Sequence, residues 1–477
     1  MAFKGKSVIE LRNVETGEVE MRTEDENMVT NAAYNLVNFD ILGIKDSVVD
    51  LANRRPKWMT PLLKSCFGGL LLFEKNITED VNMILPPCDN DNVGRASGVY
   101  TGSDARRGTL NASESKEINA GKGYRFVWDF PTDRCNGTIC CVCLTSYAGG
   151  SVGLNTNDLT ANTAGIISSL GPDTNGSTNP LLSESYIAQN STDLAKFPNK
   201  SENCSAMGCF NPNEFLYAIN DYNSKQIIFI RVKYSRKVGL SSFFIQESSE
   251  KTVTTTVPLT HPRKFKSDEN YIYSIRTHDT NQLDVVIFDG SSLEVIKEET
   301  FAVQDAKFLT YSNTSAQTED AIYSDGYYYV AANIQGQVGY YKIKAEDPSD
   351  YQIITYTGSG AFCINKLGES LFLIPTNKDT TPHRGFKLNS KQFDQINLSR
   401  RLWTTSGSYY ATSSIRFANS KYIKPPFMLR LESMGTTSSD TYLQVFTPFL
   451  STINNLSSPV VKNETQTMKV TYEITEV

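Results

Sequence analysis

Four pairs of apolar strands recur through the middle of the chain, and any fold it adopts must accommodate their spacing. Phe215-Leu-Tyr-Ala-Ile219 precedes Ile227-Ile-Phe-Ile-Arg-Val232, and Tyr271-Ile-Tyr-Ser-Ile275 precedes Leu283-Asp-Val-Val-Ile-Phe288. Tyr327-Tyr-Tyr-Val330 then precedes Val338-Gly-Tyr-Tyr-Lys-Ile343, and Ser370-Leu-Phe-Leu-Ile374 precedes Arg384-Gly-Phe-Lys-Leu388. Polar turns such as Asp221-Tyr222-Asn223 and Asp279-Thr280-Asn281 separate the members of a pair, while Asp289-Gly290-Ser291 and Asp347-Pro348-Ser349 lead on to an outer strand. A pitch of roughly fifty residues is that of a propeller blade. Residues 211–400 are therefore expected to form β-propeller-like repeats of at least four blades, with a fifth if another part of the chain closes the ring. Hairpins in a multi-domain β-sandwich alternate in the same way without closing radially, and they stand as the alternative.

Both ends of the chain carry strand patterns of their own. Met468, Val470, Tyr472 and Ile474 alternate with Lys469, Thr471, Glu473 and Thr475, a period of two that marks a half-buried strand. At the other end Val8, Leu11 and Val14 lead through Thr16-Gly17 to Val19 and Met21, as in a β-hairpin. Glu24-Asp25-Glu26 then precedes Val29, Ala32, Ala33, Leu36 and Val37, whose spacing predicts an amphipathic helix capped by Asp25 or Asn27. Tyr124, Phe126, Trp128 and Phe130 share one face of a strand, and a turn at Asn136-Gly137 joins it to Thr138-Ile-Cys-Cys-Val-Cys-Leu144. Beyond Pro425-Pro426, the runs Phe427-Met-Leu-Arg-Leu431 and Tyr442-Leu-Gln-Val-Phe446 suit an antiparallel pair. The expected architecture is mainly β, with a β-rich base domain formed by both chain ends (1–147 and 401–477) and the propeller-like domain inserted between them. Residues 148–210, rich in Gly, Ser, Thr and Asn, bury too little apolar surface for a core and read as a loop or linker.

Composition narrows the function classes. At 477 residues there is enough chain for several cores, and 24 Tyr with 24 Phe suit strands. A net charge of -6 and a pI near 5.4 leave no electrostatic footprint for nucleic acid. The longest apolar run, Gly68 to Phe73, is far too short to cross a bilayer, so no membrane insertion is expected. Met1 to Ser7 lacks the apolar region of a secretory signal, which leaves synthesis in a cytoplasm as the expectation.

Chemistry is harder to find. Nine cysteines invite a metal or disulfide reading, but His261, His278 and His383 are the only histidines, and the cysteine run lies on a strand, where Cys141 and Cys143 share a face that Cys140 does not. Buried small hydrophobes are the expectation, with no metal and no cofactor; Cys204 and Cys209 are the pair to test for a disulfide. Gly149-Gly150-Ser151-Val152-Gly153 matches a nucleophile elbow in spacing, yet Asn- and Thr-rich residues follow where a helix is needed, so a flexible turn is expected and no catalytic residue is assigned. Glycoside hydrolysis requires only two carboxylates across a cleft, and Glu214, Asp221, Asp279, Asp284 and Asp325 fall near the blade strands. Solvated turn carboxylates explain the same five residues.

Several segments together resemble tail-associated virion proteins of tailed bacteriophages. They are Ile9-Glu-Leu-Arg-Asn-Val-Glu-Thr-Gly17 with Glu26-Asn-Met-Val-Thr-Asn31, the strand ending Leu-Leu-Leu-Phe73, and Arg107-Gly-Thr-Leu-Asn-Ala-Ser-Glu114. Tyr124 to Phe130 with Gly137-Thr-Ile139, and Thr452 to Leu456 with Thr467 to Tyr472, complete the set. The resemblance covers both ends and leaves residues 148–400 aside. It implies a non-enzymatic component of a tail tip, baseplate or fibre, carried in the virion as a homo-oligomer beside other virion proteins and contacting a host-surface glycan or protein. It carries over no catalytic residue and names no receptor-binding one. A virion-associated depolymerase and a capsid-attached head fibre are the alternatives.

Overall fold

The alternation at the C-terminal end has the physical consequence its period demands. Met468, Val470, Tyr472 and Ile474 are each at most 1% exposed. Their strand, Gln466–Glu476, pairs antiparallel with Phe3–Asn13 along its whole length, from Phe3 opposite Glu476 to Asn13 opposite Gln466. Its other edge pairs with the aromatic strand Gly123–Phe130, in which the Phe126 and Trp128 rings stack at 5.5 Å. The chain ends are thus neighbours in one sheet, as their patterns predict.

This computed structural model describes residues 3–38, 44–45, 59–60, 66–84, 86, 92–152, 165–169, 204–212, 214–235, 244–310, 320–355, 362–367, 370–375, 384–388, 393–397, 415–417, 419–433 and 439–476. His383 and most of the expected linker lie outside them. One compact unit comprises Met1–Ser168, Asn397–Leu402 and Phe446–Val477, and the other Ser169–Ile396 and Trp403–Val445.

In the first unit the strands follow the order Asn92–Ala96, Gly69–Phe73, Gly137–Thr145, Thr452–Lys462, Val19–Val29, Phe3–Asn13, Gln466–Glu476, Gly123–Phe130 and Thr109–Leu110. Backbone bonds from Arg95 N to Arg106 O (2.8 Å) and from Gly108 N to Arg95 O (2.9 Å) join the two ends of that series, so the sheet curls into a nearly closed barrel. Leu71, Phe73, Cys141, Cys143, Leu450 and Ile453 pack in one buried cluster of it.

The helix comes where expected, at Asn31–Asn38, with Ala32, Ala33 and Leu36 fully buried. Its start differs. Asp25 and Asn27 lie within the strand, opposite Ser7 and Gly5, because the hairpin ladder runs on through the acidic stretch and Lys6 pairs with Glu24 at 2.5 Å. Neither residue caps the helix. Thr30 immediately precedes it, and its hydroxyl donates instead to Leu450 O at 2.5 Å, stitching the helix entry to the far end of the chain.

The second unit is built from four-stranded sheets, five of them among the described residues, with the pairs inside each antiparallel wherever their register is resolved. Each of the four predicted strand pairs forms the middle two strands of a sheet: Glu214–Ile219 with Gln226–Ser235, Tyr271–Asp279 with Gln282–Asp289, Tyr327–Ile334 with Gln337–Lys344, and Ser370–Pro375 with Arg384–Leu388. Short inner strands precede them at Cys204–Asn211, Lys266–Ser267, Ala321–Ser324 and Phe362–Leu367, and outer strands follow. Cys204–Asn211, expected in the linker, is therefore the inner strand of the first blade. The fifth sheet has the order Gly165–Ser169, Ser439–Thr447, Phe427–Ser433, Ile415–Phe417, so its outer strand comes from upstream of the first blade. The return to the base accordingly falls near Phe446 and not at residue 401: Phe427–Ser433 and Ser439–Thr447 do pair, as expected, but as part of a blade.

Contacts at every joint close the ring. Ser267 Oγ donates to Met207 O at 3.4 Å between the first and second blades, and Leu309 N donates to Ala331 O at 2.9 Å between the second and third. Ile364 N reaches Asp320 Oδ2 at 2.5 Å between the third and fourth, and Asn419 Nδ2 reaches Lys366 O at 2.9 Å between the fourth and fifth. Cys209 N to Ser420 Oγ and Tyr422 N to Cys209 O, both 3.0 Å, return the ring to its start. The protein is mainly β, a base made from both chain ends with a propeller inserted between them, five blades of which lie among the described residues.

Candidate functional site

The propeller carries every carboxylate singled out from sequence, and the topology of its sheets distributes them. In an antiparallel four-stranded blade the first and third turns lie at one end of the ring and the second at the other. Glu214 and Asp325 belong to first turns, whereas Asp221 and Asp279 belong to second turns. These four are divided between opposite ends of the ring. Glu214 accepts from Asn211 Nδ2 at 2.9 Å, and Asp325 accepts from Ser324 Oγ at 2.6 Å and pairs with Lys366 at 3.3 Å.

Asp284 is the exception in kind. It lies 2% exposed on the third strand of the second blade, directly opposite Arg276 in the ladder, with Arg276 Nη1 at 2.5 Å from its Oδ2. His278 Nδ1 stands 3.2 Å from the same oxygen, and Thr300 Oγ1 donates to Oδ1 at 2.7 Å. Both oxygens are thus engaged, and Arg276 also lies over the Tyr222 ring at 5.2 Å. Such a carboxylate, paired with Arg276 and hydrogen-bonded within its own sheet, orders a blade and its second turn.

A second buried pair escaped the sequence argument. Lys266, on an inner strand, contacts Asp320 Oδ1 at 3.3 Å, and its hydrogen bond goes to Ile364 O at 2.7 Å. Asp320 Oδ2 accepts from Ile364 N and from Tyr340 OH at 3.3 Å. One ion pair therefore staples the second, third and fourth blades near the ring's inner strands. The two side chains are 7% and 2% exposed, so removing either leaves a buried charge without compensation. A charged residue set directly against a short apolar run, as Asp320 is against Ala321-Ile322, was the available signal. Nearby Cys363 keeps its proton, because burial first and Asp320 second raise its thiol above the usual range.

The blade tyrosines are held neutral as well. Tyr273 hydrogen-bonds Asp268 and Tyr328 donates to Glu299 at 3.0 Å, and burial pushes both phenols well above their ordinary range. Their rings fill the interface between the second and third blades, where Tyr273 stacks on Tyr323 at 5.2 Å. They are packing residues with satisfied hydroxyls.

The remaining motifs resolve into packing. Cys141 and Cys143 do share a face, with sulfurs 3.6 Å apart and both side chains buried, while Cys140 lies on the other. Cys209 carries a free thiol; it sits five residues along the same strand as Cys204, about 17 Å away in an extended chain and beyond disulfide reach. Among the described residues no group of His, Cys, Asp and Glu is arranged to hold a metal. Where a flexible turn is expected, the structure places Ser151 in a short helix, Tyr147–Val152, directly after the cysteine strand. Its Oγ accepts from Arg107 Nη1 at 3.3 Å. Gly150 explains the glycines: a Cβ there would stand 2.1 Å from Ala96 O and 2.6 Å from Gly69 Cα.

No protein-family model matches the sequence, and no curated protein matches it. Among solved structures, TolB from Acinetobacter baumannii matches at 10% identity and TM-score 0.23 over 54% of this chain, which spans 57% of TolB's length. The dihydro-heme d1 dehydrogenase NirN matches at 9% identity and TM-score 0.23 over 84% of this chain and 76% of NirN. The Dos1 propeller matches at 11% identity and TM-score 0.22 over 84% of this chain and 94% of its own. Likeness at that level carries no functional argument.

Proposed function

We propose that this chain is a structural protein of a tailed-phage virion, in the tail tip, baseplate or fibre, with its barrel attached to other virion proteins and its propeller meeting the host surface. The observation that carries the reading is the insertion itself: Phe3–Asn13 and Gln466–Glu476 are paired along eleven residues, and the propeller is strung between them. A load on the propeller passes into a base through two covalent connections, which suits a subunit that holds on to a particle and presents a separate domain. The segments whose sequence resembles virion proteins fall in that base. Polar and aromatic turn residues such as Asp221, Tyr222 and Asp279 at one end of the ring are of the kind that recognise a glycan or a protein loop. Homo-oligomerisation through the base fits the same reading.

Two experiments test it. Gold-labelled antibody against the chain should decorate the tail end of intact particles, and decoration of the capsid would instead support a head fibre. Particles carrying a chain without residues 165–447 should retain the base and fail to adsorb; undiminished adsorption would remove the receptor role.

A further inference from the structure

The closure of the barrel gathers more buried positive charge than its surroundings neutralise. Arg95, with a side chain 5% exposed, pairs through Nη2 with Asp104 Oδ2 at 2.7 Å. Arg134 is spent on structure, donating from Nη1 to Arg107 O at 2.9 Å and from Nη2 to Gly102 O at 2.6 Å, which pins the loop over the seam. Arg107 is different. It is 7% exposed, and among the described residues its guanidinium donates only to Ser151 Oγ and makes no ion pair. The Tyr100 ring lies beneath it at 4.7 Å and beside Arg134 at 5.2 Å. The Nε atoms of Arg95, Arg107 and Arg134 are buried and have no hydrogen-bond partner among the described residues.

Among the described residues three guanidiniums therefore share one well-placed carboxylate, that of Asp104. Asp133 stands 3.9 Å from Arg134 Nε but is 73% exposed, and Arg106 on the same loop adds an exposed cation. A buried charge without a counter-charge is costly, and an orphaned buried donor calls for an ion or a water. Burial lowers the Arg107 guanidinium and pulls Arg95 down to about 10, in keeping with charges held in a poorly solvated place.

We propose that Arg107, backed by Arg95 and Arg134, binds a phosphate- or sulfate-class oxyanion at the barrel seam. The guanidinium fork matches two oxygens of such an ion, and Tyr100 closes one side of the site. An excess of two positive charges over Asp104 selects a dianion over a simple carboxylate. The proposal concerns the barrel alone and stands or falls independently of the virion reading.

Calorimetric titration of the full chain with inorganic phosphate, sulfate, acetate and chloride at matched ionic strength tests it. Phosphate or sulfate should bind with one site per chain and, at a hundredfold excess over the dissociation constant, raise the midpoint of base unfolding by roughly 5 °C or more. Acetate should bind at least roughly tenfold more weakly, and chloride should not saturate. Arg107→Gln should abolish the binding. Should that variant fail to fold, Arg107→Lys, which keeps the charge without the fork, should weaken it by roughly tenfold. The absence of saturable binding, equal binding of acetate and phosphate, or wild-type affinity in whichever variant folds would each overturn the proposal.

Discussion

The barrel and the propeller are both antiparallel β-structure, yet they are held together over very different distances in sequence. Four of the five blades pair only strands that follow one another closely, as Tyr271–Asp279 does with Gln282–Asp289, and the fifth alone borrows a strand, Gly165–Ser169, from far upstream. The barrel pairs Phe3 with Glu476 and ties Thr30 to Leu450 and Ser7 to Asn454. Those four blades are therefore encoded locally, whereas the base exists only when both ends of the chain are present. Long-range pairing pays its loop-closure entropy before any contact rewards it, so the base should be the more sensitive half.

Truncation is the strongest way to break that comparison. Removing residues 467–477 takes the partner from both Phe3–Asn13 and Gly123–Phe130. The base should unfold outright while the propeller keeps its protection, and hydrogen exchange resolved by segment would read both. Loss of propeller protection to the same extent would show one cooperative unit instead of two.

Within the propeller, Lys266→Met should cost about 3–5 kcal/mol because it strands Asp320 in a buried site. The double change Lys266→Met with Asp320→Leu should recover much of that loss in a urea melt. Equal destabilisation by single and double variants would mean that the pair is not what joins the three blades.

In the barrel a smaller cost, about 2 kcal/mol, is expected for Gly150→Ala, since the added methyl meets the Ala96 carbonyl. A neutral result in denaturant unfolding would show that the helix can lift off its strand freely.

The smallest effect concerns acid. The N–H of Ser292 leads the interactions that hold the Asp289 carboxyl below its usual range, at 2.6 Å, with the Ser291 N–H at 3.0 Å. Its folded value lies below its unfolded one, so the stability it supplies is present above about pH 4 and is lost as pH falls through the folded value. Asp289→Ala should cost about 0.5 kcal/mol at neutral pH and progressively less in acid, visible as converging melting curves of the two proteins. A cost independent of pH would assign the effect to packing in the turn.

What could be read from sequence follows from burial. The middle strands of the second and third blades are covered on both faces, and residues such as Val285, Val286 and Phe288 form runs that no loop would carry. The inner strands gave no such signal: Lys266–Ser267 is two residues long and contains a buried lysine, and Ala321–Ser324 is four. The fifth sheet was illegible for another reason, being assembled from Gly165–Ser169 and strands some 250 residues later. Asp284 is legible as a charge facing a core from its place between Leu283 and Val285, while its partner Arg276 emerges only from the ladder register. The arginine cluster draws Arg95, Arg107 and Arg134 from three separate segments, and only barrel closure brings them together.

The pairing of the first strand with the last also sets a schedule. During synthesis, Phe3–Asn13 leaves the ribosome roughly 450 residues ahead of Gln466–Glu476, an interval of roughly 20–90 s at ordinary elongation rates. Every blade is translated within that interval. The propeller can be complete while the base still waits with an open edge, and the charged residues Lys4, Lys6, Glu10 and Arg12 along Phe3–Asn13 are the kind that keep such an edge from recruiting a stranger in the meantime.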